Sequence, residues 1–540
     1  MMRNDRIRAL CHAALLCATI ALCGVSAAGE AFATEFSDLG RGLTPDHDAD
    51  VELSGAFRLR GERLHNLDLD RGLTPSGVPL YPVPLADPDA QTLHHSDMRL
   101  RTDLSMYAPF GSVRVNMRVD VVDNLTLGST PLGTPLTTTT QWPDAEAQTN
   151  HFMQLKRVWG EALTPFGVIA AGRMGNTWGT GMLSNGGDCV DCDSGDAADR
   201  LAFVTTQQDH FIAVAYDVGW RGPVVARKVP TRSLDIEPSD NMHTFTAAIL
   251  RQRDAIALDR RTEAGRATFD YGAVYSFRRQ RNDFPLEYVP TEEEIDSTTS
   301  QVVGRGYRAH VADVWLRLVA PAFRVEAEVA VLSAHIEEAS LIPGVRYDVP
   351  LTSLQYGGVV LTEVGRPEGR VSGGLDFGLA SGDGAPGFGA TPAPNQGPGL
   401  PGDLDGAQVN PPFDTAANNF RFHPDFRIDQ ILFREILGTV TDAVYVRPHA
   451  RVDLWRSTAG KLTFKLSGVA SQALYATSTP GGANALGVEI DPSLDYVSRD
   501  KFRLGLDYAA LFPLAGLDNM VEGLPARPAQ LLRLRMVYGF

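Results

Sequence analysis

The sequence lacks the long apolar runs of a helical membrane protein, and it has no excess of basic residues. A helical membrane protein needs several apolar segments of about 18 residues or more, and only the N-terminal region approaches one. The 49 Lys and Arg are outnumbered by 65 Asp and Glu, which leaves a formal net charge of -16. Because a nucleic-acid-binding protein is expected to present a basic surface, we expect no nucleic-acid partner.

The first 33 residues have the layout of a secretory signal peptide. Three arginines lie within the first eight positions, an apolar stretch follows over 9–25, and Ala31-Phe32-Ala33 fits a cleavage site. We therefore expect a mature chain of 34–540 that reaches the cell envelope. An uncleaved anchor helix is the alternative.

Cysteine is scarce, with five residues in 540, and only Cys189 and Cys192 lie beyond the predicted signal peptide. Two cysteines three positions apart in an exported protein are most simply a disulfide within a loop. A CxxC redox centre would need a helix N-terminus, whereas glycine and aspartate surround these two residues. We predict a Cys189–Cys192 disulfide.

Alternation of polar and apolar residues dominates the remaining sequence, with clear examples at 98–107, 112–121 and 323–331. Such a period of two indicates strands with one apolar and one polar face. The predicted strands are 51–60, 97–107, 111–122, 152–163, 166–174, 200–206, 210–217, 242–252, 267–279, 306–319, 322–336, 353–365, 370–380, 443–456, 460–475, 485–498, 501–512 and 530–540.

The links between these strands alternate between long and short, which is typical of a transmembrane β-barrel with long extracellular loops and short periplasmic turns. We predict an all-β, single-domain outer-membrane barrel of about 18 antiparallel strands, within a range of about 16–20. Phe540 ends an alternating strand and resembles the C-terminal signal that the barrel-assembly machinery reads. Aromatic residues near strand ends fit interfacial girdles, with ordinary core aromatics as the alternative. These are Tyr107, Trp159, Phe166, Trp315, Phe323, Tyr508 and Phe512.

The charged face of each strand is predicted to line the lumen, because the lipid-facing side must be apolar. The predicted lumen-lining residues are Arg99, Arg101, Asp103, Arg114, Arg118, Asp120, Arg324, Glu326, Glu328, Arg451, Asp453, Arg503, Arg533 and Arg535. Basic residues outnumber acidic ones in this set, and rings of Arg and Lys favour anions. A ladder of Arg–carboxylate pairs that only braces the wall is the alternative.

The long segment 381–442 interrupts the strand pattern. It begins with a Gly- and Pro-rich stretch, and residues 426–437 place apolar side chains at helical spacing. We predict a loop with a short helix that folds into or over the pore as a constriction or lid. A helix on the outer rim is the alternative.

The aspartates around the two cysteines form an acidic, Gly-rich loop. Asp188, Asp191, Asp193 and Asp196 are hard oxygen ligands of the kind that Ca²⁺ prefers, although no Glu occupies the twelfth position of an EF-hand. Calcium that bridges lipopolysaccharide is one interpretation, and a solvated acidic rim is the other. No other cofactor is expected. No G-x-S-x-G, H-E-x-x-H or P-loop motif is present, so we do not expect an enzyme.

Some stretches resemble known barrel families. Residues 420–446, and Leu486 to Asp491 with 494–508, resemble the long loop and a late hairpin of alginate-export-type outer-membrane barrels. Trp159-Gly160-Glu161, with Gly172-Arg173-Met174 and 179–185, is similar to an uncharacterised porin-like family. The resemblance implies an 18-stranded barrel with a basic lumen for an anionic polysaccharide. The predicted inward carboxylates, among them Glu326 and Glu328, depart from a purely basic conduit.

We therefore expect a porin-like channel for passive passage of small, anionic solutes, or for export of an anionic polysaccharide. A plugged barrel that acts as a surface scaffold or adhesin is the alternative. The expected partners are outer-membrane lipid, lipopolysaccharide, the barrel-assembly machinery and the transported solute.

Overall fold

The structure is a computed structural model, and it describes most of the chain. The described residues are 36–43, 50–84, 86, 91–109, 111–132, 146–151, 153–219, 238–283, 303–340, 347, 349–366, 369–388 and 399–540. The predicted signal peptide, 1–33, lies outside the described residues.

Strands make up most of the described chain. Their bounds are β1 Asp50–His65, β2 Thr92–Tyr107, β3 Val113–Thr126, β4 Ser129–Leu132, β5 Glu146–His151, β6 Met153–Thr164, β7 Gly167–Gly175, β8 Ala197–Gln207, β9 His210–Gly219, β10 Met242–Arg251, β11 Thr268–Asp283, β12 Val303–Ala320, β13 Phe323–Ile336, β14 Leu351–Val364, β15 Val371–Ala380, β16 Ala443–Arg456, β17 Gly460–Ala473, β18 Ala485–Ser498, β19 Phe502–Pro513 and β20 Ala529–Gly539. The predicted strands each overlap one of these, so the predicted strand pattern is confirmed.

The strands close into a single barrel. Eighteen of them form one sheet, in which each pairs antiparallel with its neighbours along the chain, and β4 and β5 form a separate parallel pair. The last strand returns to the first, with Phe57 opposite Tyr538 and Arg60 opposite Arg535. The predicted closed antiparallel barrel is therefore confirmed, and closure leaves no unpaired sheet edge.

The two ends of the barrel differ in their connections. The end that carries Asp50 and Gly539, called here the turn rim, has the short links, such as 165–166 and 321–322. The opposite end, the loop rim, carries the long links, of which 381–442 is the longest. The exception on the turn rim is the link that holds helix α1, Ala255–Glu263. None of the described helices is both long and apolar enough to cross a bilayer.

The barrel wall has two different faces because its strands alternate. On β3, Val113 and Val115 are 41% and 37% exposed, whereas Arg114 between them is 5% exposed. Not every predicted girdle residue lies on the outer face: Tyr107, Trp159 and Trp315 are buried. Each tryptophan donates its indole N–H to an inward glutamate, and the Tyr107 hydroxyl donates to Glu52 at 3.2 Å. That part of the girdle prediction is wrong, because these rings satisfy a polar group inside the barrel.

Two other segments lie against the inner wall. At the N-terminus of the described chain, the backbone N–H of Gly40 donates to Glu161 at 2.7 Å, and Arg114 donates to the carbonyl of Arg41 at 2.8 Å. On the loop-rim side, Phe420 of the long loop packs on β14, where a Cβ at Gly357 would overlap its ring. The interior of the barrel is therefore partly filled by its own chain.

Candidate functional site: a charged constriction between two cavities

Many of the predicted lumen-lining residues pair with one another across neighbouring strands. On the turn-rim half of β2 and β3, Arg101 contacts Asp120 at 2.8 Å and Arg118 contacts Asp103 at 2.5 Å. Arg114 pairs instead with Glu161 of β6, at 2.9 Å. These pairs form a ladder that braces the wall, because each guanidinium is held by a carboxylate on the next strand.

The inner wall formed by β16 to β20 is more basic. Arg535 contacts Asp507 at 2.7 Å, and Asp453 contacts Lys461 at 3.1 Å. Arg451 lies 3.7 Å from Glu363, a loose contact. Arg503 is exposed and has no ion-pair partner among the residues that the structure describes. The predicted basic lumen is thus concentrated on one side of the barrel.

The remaining predicted lumen-lining residues contact loops inside the barrel or residues on the strands. Arg533 is fully buried and binds Glu62 on β1 and, at 3.0 Å, Glu435 of the long loop. Glu328 accepts the hydroxyl of Thr180 at 2.6 Å, so that it anchors the loop between β7 and β8. The remaining pair, Arg324 with Glu326, lies near the turn rim.

The disulfide loop, defined here as residues 176–196, enters the barrel. Cys189 and Cys192 form a disulfide. Arg99 donates to the carbonyl of Cys192 at 2.5 Å, and Arg101 donates to that of Gly187 at 2.6 Å. Since both arginines lie in the middle of β2, the loop reaches the middle of the wall rather than remaining at the rim.

The aspartates of the predicted calcium site have basic side chains as neighbours. Asp188 contacts Arg157 at 3.0 Å and also binds Arg118, while Asp196 lies 3.7 Å from the imidazole of His423. No group of three or more potential ligand side chains lies together among the described residues. Three of these aspartates bind wall arginines inside the barrel instead of forming a solvated rim, whereas calcium binding stays a prediction.

The long loop, residues 381–442, meets the disulfide loop through charged groups. Arg427 contacts Asp191 at 3.0 Å, Asp193 at 2.6 Å and Asp425 at 3.1 Å. Arg434 contacts Asp191 at 3.1 Å. The inward fold of the long loop is thereby observed in its described part, and its arginines lie deep in the lumen.

Two wall arginines complete this group. Arg58 and Arg60 of β1 contact the two carboxylate oxygens of Asp193 at 2.8 and 2.9 Å. We call the set of Arg58, Arg60, Asp191, Asp193, Asp425, Arg427 and Arg434 the ion cluster. It joins the wall, the disulfide loop and the long loop in one network.

Three loop members of the ion cluster, Asp191, Asp193 and Arg434, have pKa values well below their usual range. Burial alone would raise the pKa of Asp191, but Arg434 and Arg427 hold it well below its usual range. The pKa of Asp193 is likewise lowered, against the effect of burial, by Arg60, Arg427 and Arg58. Burial, together with Arg533, lowers the pKa of Arg434 to about 9. The two aspartates therefore stay ionised at any physiological pH.

The end of the long loop is fixed to the wall by carboxylates. Glu489 of β18 accepts three consecutive backbone N–H groups, from Gln430 at 2.8 Å, Ile431 at 2.7 Å and Leu432 at 2.9 Å. They belong to the start of a short helix, Leu432–Ile436. The predicted helix over 426–437 is thus shortened to little more than one turn, because the preceding amides bind the wall instead of continuing it.

A cavity lies on each side of the ion cluster. The loop-side cavity, of about 520 Å³, is lined by Arg60, Glu62, Asp193 and Glu435 among others. The turn-side cavity, of about 840 Å³, has seven basic and two acidic residues in its lining. The basic residues are Arg451, Arg456, Lys461, Lys465, Arg499, Arg503 and Arg535, and the acidic ones are Asp191 and Asp495.

Several residues of this site were not among the lumen-lining residues predicted from the sequence. Arg58 and Arg60 alternate with Phe57 and Leu59 in a predicted strand, so the period of two could have identified them. Arg427 and Arg434 follow no strand pattern, and only their position in the long loop hinted at a role. Their place in the lumen depends on the path of the loop, which no local pattern encodes.

Comparison with protein-family models and with curated proteins gives no match. Several solved structures are similar. OccK1 (OpdK) of Pseudomonas aeruginosa is 12% identical over 91% of this chain and 98% of that chain, with a TM-score of 0.44. The outer membrane channel DcaP of Acinetobacter baumannii is 11% identical over 91% and 98%, with a TM-score of 0.38. A BenF-like porin from Pseudomonas fluorescens Pf-5 is 8% identical over the same shares, with a TM-score of 0.43.

At such low identities and TM-scores, the function of this chain is argued below from its own residues. None of these three structures is described as an alginate exporter. The resemblance to alginate-export-type barrels therefore stays a prediction.

Proposed function

We propose that this chain is an outer-membrane, porin-like channel for the passive passage of small anionic solutes. The observation that carries the proposal is the turn-side cavity, in which seven basic side chains face two acidic ones. Asp453 contacts Lys461 and Asp507 contacts Arg535, and these two carboxylates neutralise part of the basic charge. Arg499 and Arg503 have no carboxylate partner among the described residues, so positive charge is left to attract an anion.

The apolar outer face of the barrel wall supports insertion in a membrane. Large apolar side chains are exposed along the outer face, as at Val329 and Val331 of β13, whereas Glu326 and Glu328 on the inner face are buried. A closed barrel with this distribution satisfies its backbone in lipid. The loop rim would then face the outside of the cell and the turn rim the periplasm, with lipopolysaccharide and the assembly machinery as partners, the latter through Phe540.

The constriction favours a small solute over a polymer. The ion cluster separates the two cavities, and Arg427 alone binds three carboxylates there. A polysaccharide chain would have to displace the disulfide loop and the long loop at once. A small anion needs only a brief exchange of partners with one guanidinium.

The test is a planar-bilayer recording of the refolded mature protein, with the reversal potential measured under a salt gradient. We expect stable conductance steps with anion preference. The double variant Arg499→Gln, Arg503→Gln should lower the anion-to-cation permeability ratio at least several-fold, because it removes the two unpaired charges. The matched control is Arg260→Gln, Arg266→Gln, which removes the same charge from exposed positions on the α1 link.

Equal effects of the two double variants would show that net charge, not the turn-side cavity, governs selectivity. If neither the wild-type protein nor a variant without the long loop conducts ions, the channel proposal is overturned. A surface scaffold or adhesin would then be the remaining function.

A further inference from the structure

The disulfide lies where the two cavities meet. The bond between Cys189 and Cys192 closes a ring of four residues. Cys189 and Asp191 belong to the lining of the turn-side cavity, whereas Asp193, directly after the ring, belongs to that of the loop-side cavity. The ring is therefore part of the partition between the cavities.

The ring connects the wall to the long loop. Arg99 of β2 donates to the carbonyls of Val190 at 3.1 Å and Cys192 at 2.5 Å. On its other side, the carboxylate of Asp191 binds Arg427 and Arg434. Any change in the backbone of the ring alters both sets of contacts at once.

The two sulfur-bearing residues differ in access. Cys189 is exposed, whereas Cys192 is 1% exposed. The cavity that Cys189 lines is about 840 Å³, and it also includes turn-rim residues such as Ser457 and Arg499. A small thiol that enters from the turn rim therefore reaches Cys189 first.

We propose that Cys189–Cys192 is a thiol–disulfide exchange site, and that its reduction by a small dithiol from the turn rim opens the constriction. The inference rests on the proposed channel, since it concerns the partition between the two cavities of the same passage. Among the described residues, no helix N-terminus lies at this CxxC segment, but nearby guanidinium charge favours the step as well, because it stabilises a cysteine that leaves as thiolate. Arg99 supplies such charge at the backbone carbonyl of Cys192.

The exchange is balanced in atoms and electrons. A thiolate of the dithiol attacks the Sγ of Cys189, the Cys189–Cys192 bond breaks, and Cys192 leaves as a thiolate that takes a proton. The second thiolate of the reagent then attacks its own sulfur in the mixed disulfide and releases Cys189. The dithiol is oxidised to a cyclic disulfide, and the two cysteines are reduced. Val190 and Asp191 regain the backbone freedom that the ring had removed.

The experiment records single-channel currents while dithiothreitol is added to one chamber at a time. Addition on the turn-rim side should raise the conductance of the wild-type protein faster than addition on the other side, and reoxidation should restore it. The double variant Cys189→Ser, Cys192→Ser should show the raised conductance from the start and should not respond. Unchanged conductance in a protein whose two cysteines have both become alkylated would overturn the proposal.

A second measurement does not need a current. Cys189 in the Cys192→Ser variant should react with iodoacetamide faster than Cys192 in the Cys189→Ser variant, and reduction of the wild type should increase hydrogen exchange over 186–196. Equal reactivity and unchanged exchange would overturn the exchange site. A lack of current in every form, together with these expected labelling results, would instead overturn only the channel.

Discussion

Single arginine side chains connect the disulfide loop to the long loop. Arg427 is the clearest case, since its guanidinium contacts Asp191, Asp193 and Asp425 at 2.6–3.1 Å. Its planar set of five N–H donors can serve three carboxylates at once, whereas a lysine ammonium would act as a single point charge. Because the partners come from both loops, this one side chain couples their positions.

Glu489 provides the first test at this scale. Replacement by Ala leaves the buried amides of Gln430, Ile431 and Leu432 without their acceptor. At about 1–3 kcal/mol for each unsatisfied buried donor, we expect the docked helix to lose about 3 kcal/mol or more. Hydrogen exchange of these three amides measures the loss.

The Glu489→Gln variant keeps one acceptor oxygen and should give an intermediate result. Glu522→Ala removes an exposed carboxylate from another loop and serves as the control. Unchanged protection in Glu489→Ala would show that packing alone holds the helix.

Asp442 provides a test of pH dependence. Burial raises the pKa of Asp442 to about 7, and its carboxylate accepts the backbone N–H of Tyr475 at 3.2 Å. With the folded pKa above that of a free carboxyl, the stabilisation is complete below about pH 4 and is lost as the pH rises through about 7. The loss amounts to a few kcal/mol at most.

We therefore expect hydrogen exchange over 474–478, corrected for its intrinsic rate, to increase between pH 5 and pH 8. Asp442→Asn, which mimics the neutral form, should remove this dependence. Glu263→Gln, at an exposed position of α1, should keep it. A corrected exchange rate that stays constant between pH 5 and pH 8 in the wild-type protein would contradict the raised pKa of Asp442.

At the scale of elements, the long loop is an insertion between two strands that already form a hairpin. Ala380 at the end of β15 lies directly opposite Ala443 at the start of β16. An antiparallel pair in this register can be closed by a two-residue turn. The barrel wall therefore does not need residues 381–442 for its own pairing.

Replacement of 381–442 by Asn-Gly should leave a folded barrel with a larger conductance and weaker anion preference, because Arg427 and Arg434 are removed from the constriction. Planar-bilayer conductance measures the change, and the shift of unboiled protein in gel electrophoresis reports folding. As a control, residues 255–265 on the turn rim are replaced by a short Gly-Asn link. A folded variant whose conductance equals that of the wild type would show that the long loop does not narrow the passage.

At the scale of the whole molecule, charge is separated in space. The chain carries a formal net charge of -16, yet the turn-side cavity is lined mainly by basic residues. A low-dielectric wall focuses the field of these residues along the axis, so the local sign in the passage governs which ions enter. The overall acidity of the protein does not.

This separation predicts a salt dependence. The Debye length falls from about 10 Å at 0.1 M to about 3 Å at 1 M ionic strength. The anion-to-cation permeability ratio should therefore decline towards one as salt is raised at a fixed gradient, and the decline should be much smaller in Arg499→Gln, Arg503→Gln. A preference that is insensitive to salt would point to steric selection, and cation preference at low salt would contradict the proposed sign.

The barrel could be predicted from local features of the sequence. Each strand repeats polar and apolar residues with a period of two, as at Arg114 between Val113 and Val115, and this pattern is local because it reflects only which side of a wall each residue occupies. The link lengths are also local, and they separated the two rims correctly. Strand ends moved by a few residues, since pairing with a neighbour extends a strand beyond its own pattern.

The contacts that fill the barrel could not be predicted from the sequence, because they join residues far apart along the chain. No sequence signal indicated that Asp191 and Asp193 bind Arg427, because this partner lies more than two hundred positions away. Trp159 lies in the same phase as Arg157 and Glu161, and Trp315 in the same phase as Asp313 and Arg317, so the alternation already points both rings inward. Only the structure shows which glutamates they bind. Contacts of this kind depend on where loops return inside a closed wall, and that path is set by packing of the whole molecule.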